Sequence, residues 1–178
     1  LMETKSNVVH CPGWGFDTKV QDMLQMGINV ALGCDGGHQT NDIFEAMQVE
    51  NVLQNRLPKR DLTFLTTDRL IEMGTINGAK ALMWDKESGS IEKSKKADLI
   101  IINLDDPSLV PMVNPVNGVP ARVRGKNVDT VIVNGKVLME NRIVKTMDEA
   151  KVVEEARRRA EEVKERSGYK VKWPWPLI

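Results

Sequence analysis

The stretch Asn29-Val30-Ala31-Leu32-Gly33-Cys34-Asp35-Gly36-Gly37 constrains the fold more than any other part of the chain. A short apolar run bounded by glycine reads as a strand buried on both faces, the kind found in parallel sheets. A carboxylate, Asp35, stands where that strand stops, and Gly36 and Gly37 allow the backbone to turn sharply beside it. In α/β barrels the reacting groups collect at the C-terminal ends of strands, where the βα loops open. Asp35 is therefore the first candidate for a residue facing a site.

The preceding residues complete a unit. Val8-Val9 read as a strand, and His10-Cys11-Pro12 end it, because proline cannot donate to the ladder. Val20, Met23, Leu24 and Gly27 then give a short amphipathic helix before the second strand. Strand, helix, strand is a βαβ unit, which is right-handed almost by rule. If its strands are parallel neighbours, His10 and Asp35 lie at the same end of the sheet. Side chains alternate along a strand, so His10 opposes Cys11 and Asp35 opposes Cys34. The four side chains therefore do not all converge on one metal, and the closely spaced Cys or His pairs of a self-contained zinc site are absent. Taken singly, Asp35 is also read as a turn residue bonding its own backbone, and His10 as a core histidine satisfied by a carbonyl. His38 lies in the polar loop after Asp35, able either to touch a substrate or simply to be exposed.

Further on, Asp42-Ile43-Phe44-Glu45 resembles a capping box opening a helix with Ile43, Phe44, Met47, Val49, Val52 and Leu53 as its apolar set. Leu57 to Asp61 break it. Thr67 can cap a helix carrying Leu70, Ile71 and Met73, and a short helix follows from Ala79 to Met83. Near Gly89 the texture becomes β-rich: Ile91, then Ala97 to Ile102, then Val128 to Val133. Asn134-Gly135 between Val131-Ile132-Val133 and Val137-Leu138-Met139 is a strong hairpin signal, and Ile143-Val144 can add a strand. Asp148 to Arg166 is helical, with Val152, Val153, Ala156, Ala160 and Val163 as a thin stripe. Its Arg157-Arg158-Arg159 run reads as a solvated face with intrahelical ion pairs rather than an RNA contact. The tail Trp173-Pro174-Trp175-Pro176 reads as a segment that docks on a surface. The expected organisation is an α/β part at 1–88, a small β part at 89–146, and a helix with its docking tail at 147–178.

Size and charge exclude other classes. At 178 residues the chain is shorter than a complete eight-fold barrel, which takes roughly 250. It carries 25 basic and 25 acidic residues, so it lacks the excess positive charge of a nucleic-acid surface. Two cysteines imply no disulfide framework, and no apolar run approaches membrane-spanning length. The expected location is cytoplasmic, with no nucleic-acid or membrane partner. The chain opens on Leu1 with a strand-like run close behind, which reads as a piece of a longer chain; an initiator at Met2 is the alternative.

In order, His10-Cys11-Pro12, then Asp22 to Gly36, then Met73-Gly74-Thr75-Ile76-Asn77-Gly78-Ala79-Lys80-Ala81-Leu82, then Gly89 to Glu92 with Lys96 to Ile100, then Val131 to Lys136, resemble the amidohydrolase superfamily. The likeness is to its cytosine, guanine and adenosine-type aminohydrolases and triazine hydrolases. The resemblance implies a partial (β/α)8 barrel, strands 7 and 8 with their helices, plus part of a small β-sandwich and a C-terminal helix. It implies hydrolysis of a C–N, or C–Cl, bond on a small nitrogen heterocycle with Zn or Fe as cofactor. Asp35 matches the strand-8 metal ligand that also shuttles the proton of the attacking water. His10 matches a strand-7 position near the substrate pocket, and Trp14 and His38 are expected to line that pocket with it. The remaining ligands, a His-x-His and two single histidines, have no match here, so the fragment alone is expected to be inactive and to hold no tightly bound metal. Three departures stand out: Gly13-Trp14-Gly15-Phe16-Asp17 replaces a longer loop, Cys34 stands where Thr or Ser is common, and Ser94 stands where a turn glycine is usual, implying mild local strain or a different turn. The expected partner is the missing N-terminal portion or a second copy. The rival readings are a non-catalytic association module or degenerate homologue, and a self-contained small enzyme using His10 and Asp35.

Overall fold

The computed structural model describes residues 1, 3–13, 18–35, 41–55 and 65–170. Strands β1 (Val8–His10) and β2 (Val30–Leu32) pair in parallel, Val8 opposite Val30 and His10 opposite Leu32, with helix α1 (Val20–Gln25) between them. The expected βαβ unit is present. All three β2 residues are buried, as their uninterrupted apolar run requires. Gly27, counted in sequence toward the α1 stripe, instead closes the helix. Its φ is +74°, its N–H donates to the Leu24 carbonyl, and the Ile28 N–H donates to the Met23 carbonyl. That pair of bonds is a Schellman C-cap, which needs a residue free to take positive φ.

Helix α2 (Ile43–Gln54) starts where the sequence placed it, with Asp42 Oδ1 accepting from the Phe44 N–H at 3.0 Å. Its buried stripe differs from the expected one. Val52 is exposed, whereas Glu50 and Gln54 are buried, because the second half of the helix faces polar groups of the β1–α1 segment. Helix α3 (Thr67–Met73) has Thr66, not Thr67, in the cap position. Helix α4 (Ile76–Ala81) begins three residues earlier than the expected Ala79. Gly89 (φ +91°) lies against it, and a Cβ there would come within 2.6 Å of the Ala79 Cβ.

Strands β3 (Leu99–Ile102), β4 (Val128–Val133), β5 (Lys136–Glu140) and β6 (Ile143–Val144) form a four-stranded antiparallel sheet in sequence order. The Asn134-Gly135 hairpin joins β4 to β5, with both turn residues at positive φ (+48° and +76°), the dihedral signature of a tight hairpin turn. Ile91 lies outside the strands. Ser94 has φ +75°, a conformation that burdens a residue with a Cβ. Helix α5 (Pro115–Arg122) has no counterpart in the sequence reading. Pro115 and Gly118 look like breakers, but Pro fits the first helical turn, and Asn114 Oδ1 caps it by accepting from the Val116 and Asn117 N–H groups.

Helix α5 packs on α2 and α3, with Gln48 Nε2 donating to the Ala121 carbonyl and Thr67 Oγ1 to Asn117 Oδ1. One apolar core therefore runs from Val20, Val30, Phe44, Leu70 and Met73 to Leu109, Val123 and Val128. Helix α6 (Glu149–Ser167) buries none of its residues. Its Arg158 and Arg159 pair with Glu155 and Glu162, as the charge spacing implied. Among the described residues no helix is long and apolar enough to cross a membrane. The tail expected to dock lies outside the described residues.

The hairpin tip is tied down by Asp98. Its carboxylate accepts from the Asn134 N–H at 2.7 Å and from Ser88 Oγ at 3.0 Å, and those bonds, the backbone one first, hold its pKa below the ordinary value. A depressed carboxylate adds stability above its unfolded pKa and loses it as pH falls through the folded value. Acid titration followed by circular dichroism should therefore show loosening of the sheet below the usual carboxylate range. In Asp98→Asn that pH-dependent component should be missing.

Candidate active site

The site is built from the two parallel strands. Backbone bonds from Val8 N–H to the Asn29 carbonyl (2.9 Å) and from Gly33 N–H to the His10 carbonyl (2.8 Å) close the pair at its two ends. Three amides lock the register at the N-terminal end. Asn29 Nδ2 donates to Asn7 Oδ1 (2.9 Å) and to the Asn77 carbonyl (3.0 Å). Asn77, buried on α4, donates from its own Nδ2 to the Val30 carbonyl (3.0 Å). Asn7 precedes β1, Asn29 precedes β2, and Asn77 ties both to a helix. With the starts fixed, the C-terminal ends of β1 and β2 are fixed as well.

Asp35 lies just beyond β2, exposed, with φ +53°. Asp35 itself thus takes the left-handed region. Asp and Asn tolerate this region better than other residues with a side chain. A Cβ added at Gly33 would meet Val9 Cγ1 (3.0 Å) and Cys11 Sγ (3.1 Å), so Val9, Cys11 and Gly33 share one face of the pair. Val9 is 60% exposed, so that face is uncovered at β1. His10 points the other way, into the core. It is 6% exposed and its Nε2 lies 3.0 Å from Oε2 of Glu50, which is fully buried. The partner is a carboxylate from α2 rather than the carbonyl considered in the sequence. The parallel pair brings His10 and Asp35 to the same end of the sheet.

Cys34 sits beside Asp35, half-buried. Its burial, and after it the charges of Cys11, Asp42 and Glu45, raise the thiol above its ordinary pKa. It is held as a protonated thiol, a poor nucleophile. Trp14 and His38 lie outside the described residues. Among the described residues no three His, Cys, Asp or Glu side chains gather to hold a metal. Asp35 offers the hard oxygen that zinc or iron accepts, but a catalytic zinc usually has three protein ligands; Asp35 fits as one member of such a set. Glu50 escaped the sequence reading because it stands in an apolar helix pattern. Its signal was an acidic residue three positions after Met47, on the inward face.

Residues 18–138 match the family model described as the amidohydrolase family. The chain is 43% identical over 149 residues to 5-methylthioadenosine/S-adenosylhomocysteine deaminase of Thermoanaerobacter pseudethanolicus, a match covering 83% of this chain and 34% of that protein. The fold superposes on an adenosine deaminase from Xanthomonas campestris with bound zinc, with a TM-score of 0.82 and 26% identity, covering 89% of this chain and 37% of that one. It also superposes on atrazine chlorohydrolase of Arthrobacter aurescens TC1 complexed with zinc, with a TM-score of 0.75, 88% and 36% coverage and 23% identity, a likeness of fold alone. The chain spans about a third of the length of the curated relatives it matches.

The amide clasp is testable by itself. In Asn77→Ala the Val30 carbonyl loses its side-chain donor inside the protein, and an unsatisfied buried acceptor costs about 1–3 kcal/mol. Asn77→Asp keeps the shape without the donor and should lose a comparable amount, read from urea unfolding midpoints.

Proposed function

The chain belongs to the amidohydrolase family, and on that premise we propose that it is the C-terminal portion of a metal-dependent hydrolase that deaminates a nitrogen heterocycle of the adenosine type. Its mixed α/β fold is similar to that of amidohydrolase barrel proteins. In this reading β1 and β2 are barrel strands 7 and 8, residues 1–88 belong to the barrel, 89–146 to the small β domain, and 147–178 form the terminal helix and tail. The observation that carries the reading is Asp35, an exposed carboxylate at the C-terminal end of a parallel strand in a chain 43% identical to a deaminase.

Asp35 would hold one position of a zinc or iron ion, and the bound metal would supply the electrostatic stabilisation that makes water nucleophilic near neutral pH. Asp35 accepts a proton from the attacking water as the new C–O bond forms at the ring carbon. It then returns that proton to the departing amino group, so ammonia leaves as the C–N bond breaks. Cys34, held as a thiol, takes no nucleophilic part. His10, which ends β1, and Trp14 and His38, which follow β1 and β2 in sequence, are proposed to flank the substrate.

The proposed partner of this segment is the remainder of the longer chain. Support comes from apolar surface that the described residues leave uncovered. Ile100 and Ile101, on β3, are 48% and 54% exposed. Val9 on the site face, Trp84 and Ile91 are also open to solvent. Such patches mark interaction surfaces.

Two measurements test the proposal. The full-length protein should contain zinc or iron by elemental analysis and release ammonia from an adenosine-type nucleoside. Asp35→Asn should lower kcat by about 10²–10⁴-fold, the range for losing a general base, and an unchanged rate would overturn the assignment. Residues 1–178 alone should elute as oligomers on sizing chromatography with light scattering and become a single defined species when co-expressed with the preceding segment; a stable monomer alone would count against the proposed partner.

A further inference from the structure

We propose that residues 171–178 fold back along α6 and cover the apolar face that this helix turns to water. Helix α6 runs for 19 residues with none of them buried. A helix of that length standing alone is marginal in water. Val152, Val153 and Val163 are 51%, 47% and 52% exposed, and Ala156 and Ala160 belong to the same face. Val153, Ala156, Ala160 and Val163 follow one another at steps of three, four and three residues, the spacing of a seam that a second element covers.

The borders of that face narrow the choice of occupant. Arg157 and Lys164 follow one border of the seam, and Arg159 and Arg166 the other. A second copy of α6 would set these cations against one another in either orientation, which is unfavourable. Cationic borders suit aromatic rings instead, because a guanidinium is attracted to a ring face. The chain supplies such rings directly after the helix. Val171, Trp173, Trp175 and Leu177 alternate with Lys172, Pro174 and Pro176. In an extended chain a period of two gathers the four apolar residues on one side. Pro174 and Pro176 exclude a helix and a place inside a sheet ladder, and each restricts the tryptophan before it to extended backbone. Such a segment needs a surface that offers burial without asking for backbone hydrogen bonds, and the α6 face is one.

The helix end aims the chain back toward that face. Gly168 closes α6 in the left-handed region, φ +63°, with its N–H donating to the Glu165 carbonyl at 3.2 Å, and the Tyr169 N–H donates to Ser167 Oγ at 3.2 Å. A left-handed cap of this kind turns the chain off the helix axis, and the apolar residue after it commonly meets one in the last turn. Tyr169 and Val163 hold those two positions. The reach also suffices. Val152 to Val163 spans about 16 Å along the helix axis, and eight extended residues cover about 25 Å at roughly 3.1 Å each.

The test uses the full-length protein. Hydrogen exchange of residues 149–167, read by mass spectrometry in dilute solution, is compared between the wild type and Trp173→Ser/Trp175→Ser. The variant should exchange about tenfold faster across α6 with β1 and β2 unchanged, because only the local opening of the helix becomes easier. Val153→Glu/Ala160→Glu should accelerate α6 similarly, and combining it with the tail variant should add little, since both remove one contact. A covalent readout is independent of these rates. Ala156→Cys with Trp175→Cys should form a disulfide within one chain when oxidised glutathione is added. Unchanged α6 exchange in the tail variant, acceleration confined to another segment, additive effects, or a disulfide that links two chains would each overturn the proposal.

Discussion

Two parallel strands do not hold each other in register unaided, and the whole site end of this molecule depends on that register. A two-stranded sheet is marginal in water, and β1 and β2 offer each other only three paired residues. What fixes them is the set of amides at their starts. Asn29 spends both Nδ2 hydrogens, on Asn7 and on the Asn77 carbonyl, and Asn77 reaches from α4 to the Val30 carbonyl. A slip of one residue would turn every side chain to the opposite face, sending Asp35 and His10 to the wrong sides. The clasp lies at the far end of the strands from Asp35, so stability is secured at the end opposite the candidate site, the division found in barrel enzymes.

The helices extend the same logic. Helix α2 is capped by Asp42 and bonded to the chain near Gly125, and α5 packs against α2 and α3. The core consequently continues from the parallel pair into the start of β4 through Leu109, Val123 and Val128. The antiparallel sheet is thus attached to the strands that carry the candidate site by apolar burial rather than by a flexible link. Helix α6 is the opposite case. Its stability is local, from ion pairs at helical spacing and an Asp148 cap, and its thin stripe of Val152, Val153 and Val163 remains about half exposed.

What could be read from the residues follows from how local each signal is. β2, the Asn134-Gly135 hairpin and the Asp42 cap are encoded within a few residues, by an apolar run, a turn dipeptide and a side-chain acceptor, and each has its expected place. Helix α5 was hidden because Pro115, Gly118 and Pro120 argue against a helix locally, while the contacts that stabilise it come from α2 and α3. The Thr66 cap and the start of α4 moved by one to three residues, the usual uncertainty of helix ends. In the candidate site, the place of Asp35 at the end of a buried strand was legible. Glu50 was not, because a buried carboxylate in an amphipathic helix has meaning only once its partner forty residues away is known.

The placement of polar groups separates two uses of this short sheet. On the face of His10, a carboxyl group from α2 and an imidazole are enclosed and withdrawn from water. On the face shared by Val9, Cys11 and Gly33, side chains are small or open, and at Asp35 the chain turns through a left-handed residue that leaves the carboxylate exposed. A carboxylate meant only to cap a turn has no need of a strand end held by three amides and a buried histidine pair. Among the described residues no group of three metal-binding side chains forms, so in the proposed hydrolase the chemistry of Asp35 would be completed from outside them. The uncovered apolar residues Val9, Ile100 and Ile101 are where such an addition would gain burial at the same time. In the proposed hydrolase, covering them would couple completion of the site to burial of apolar surface, and the catalytic centre would form only on assembly.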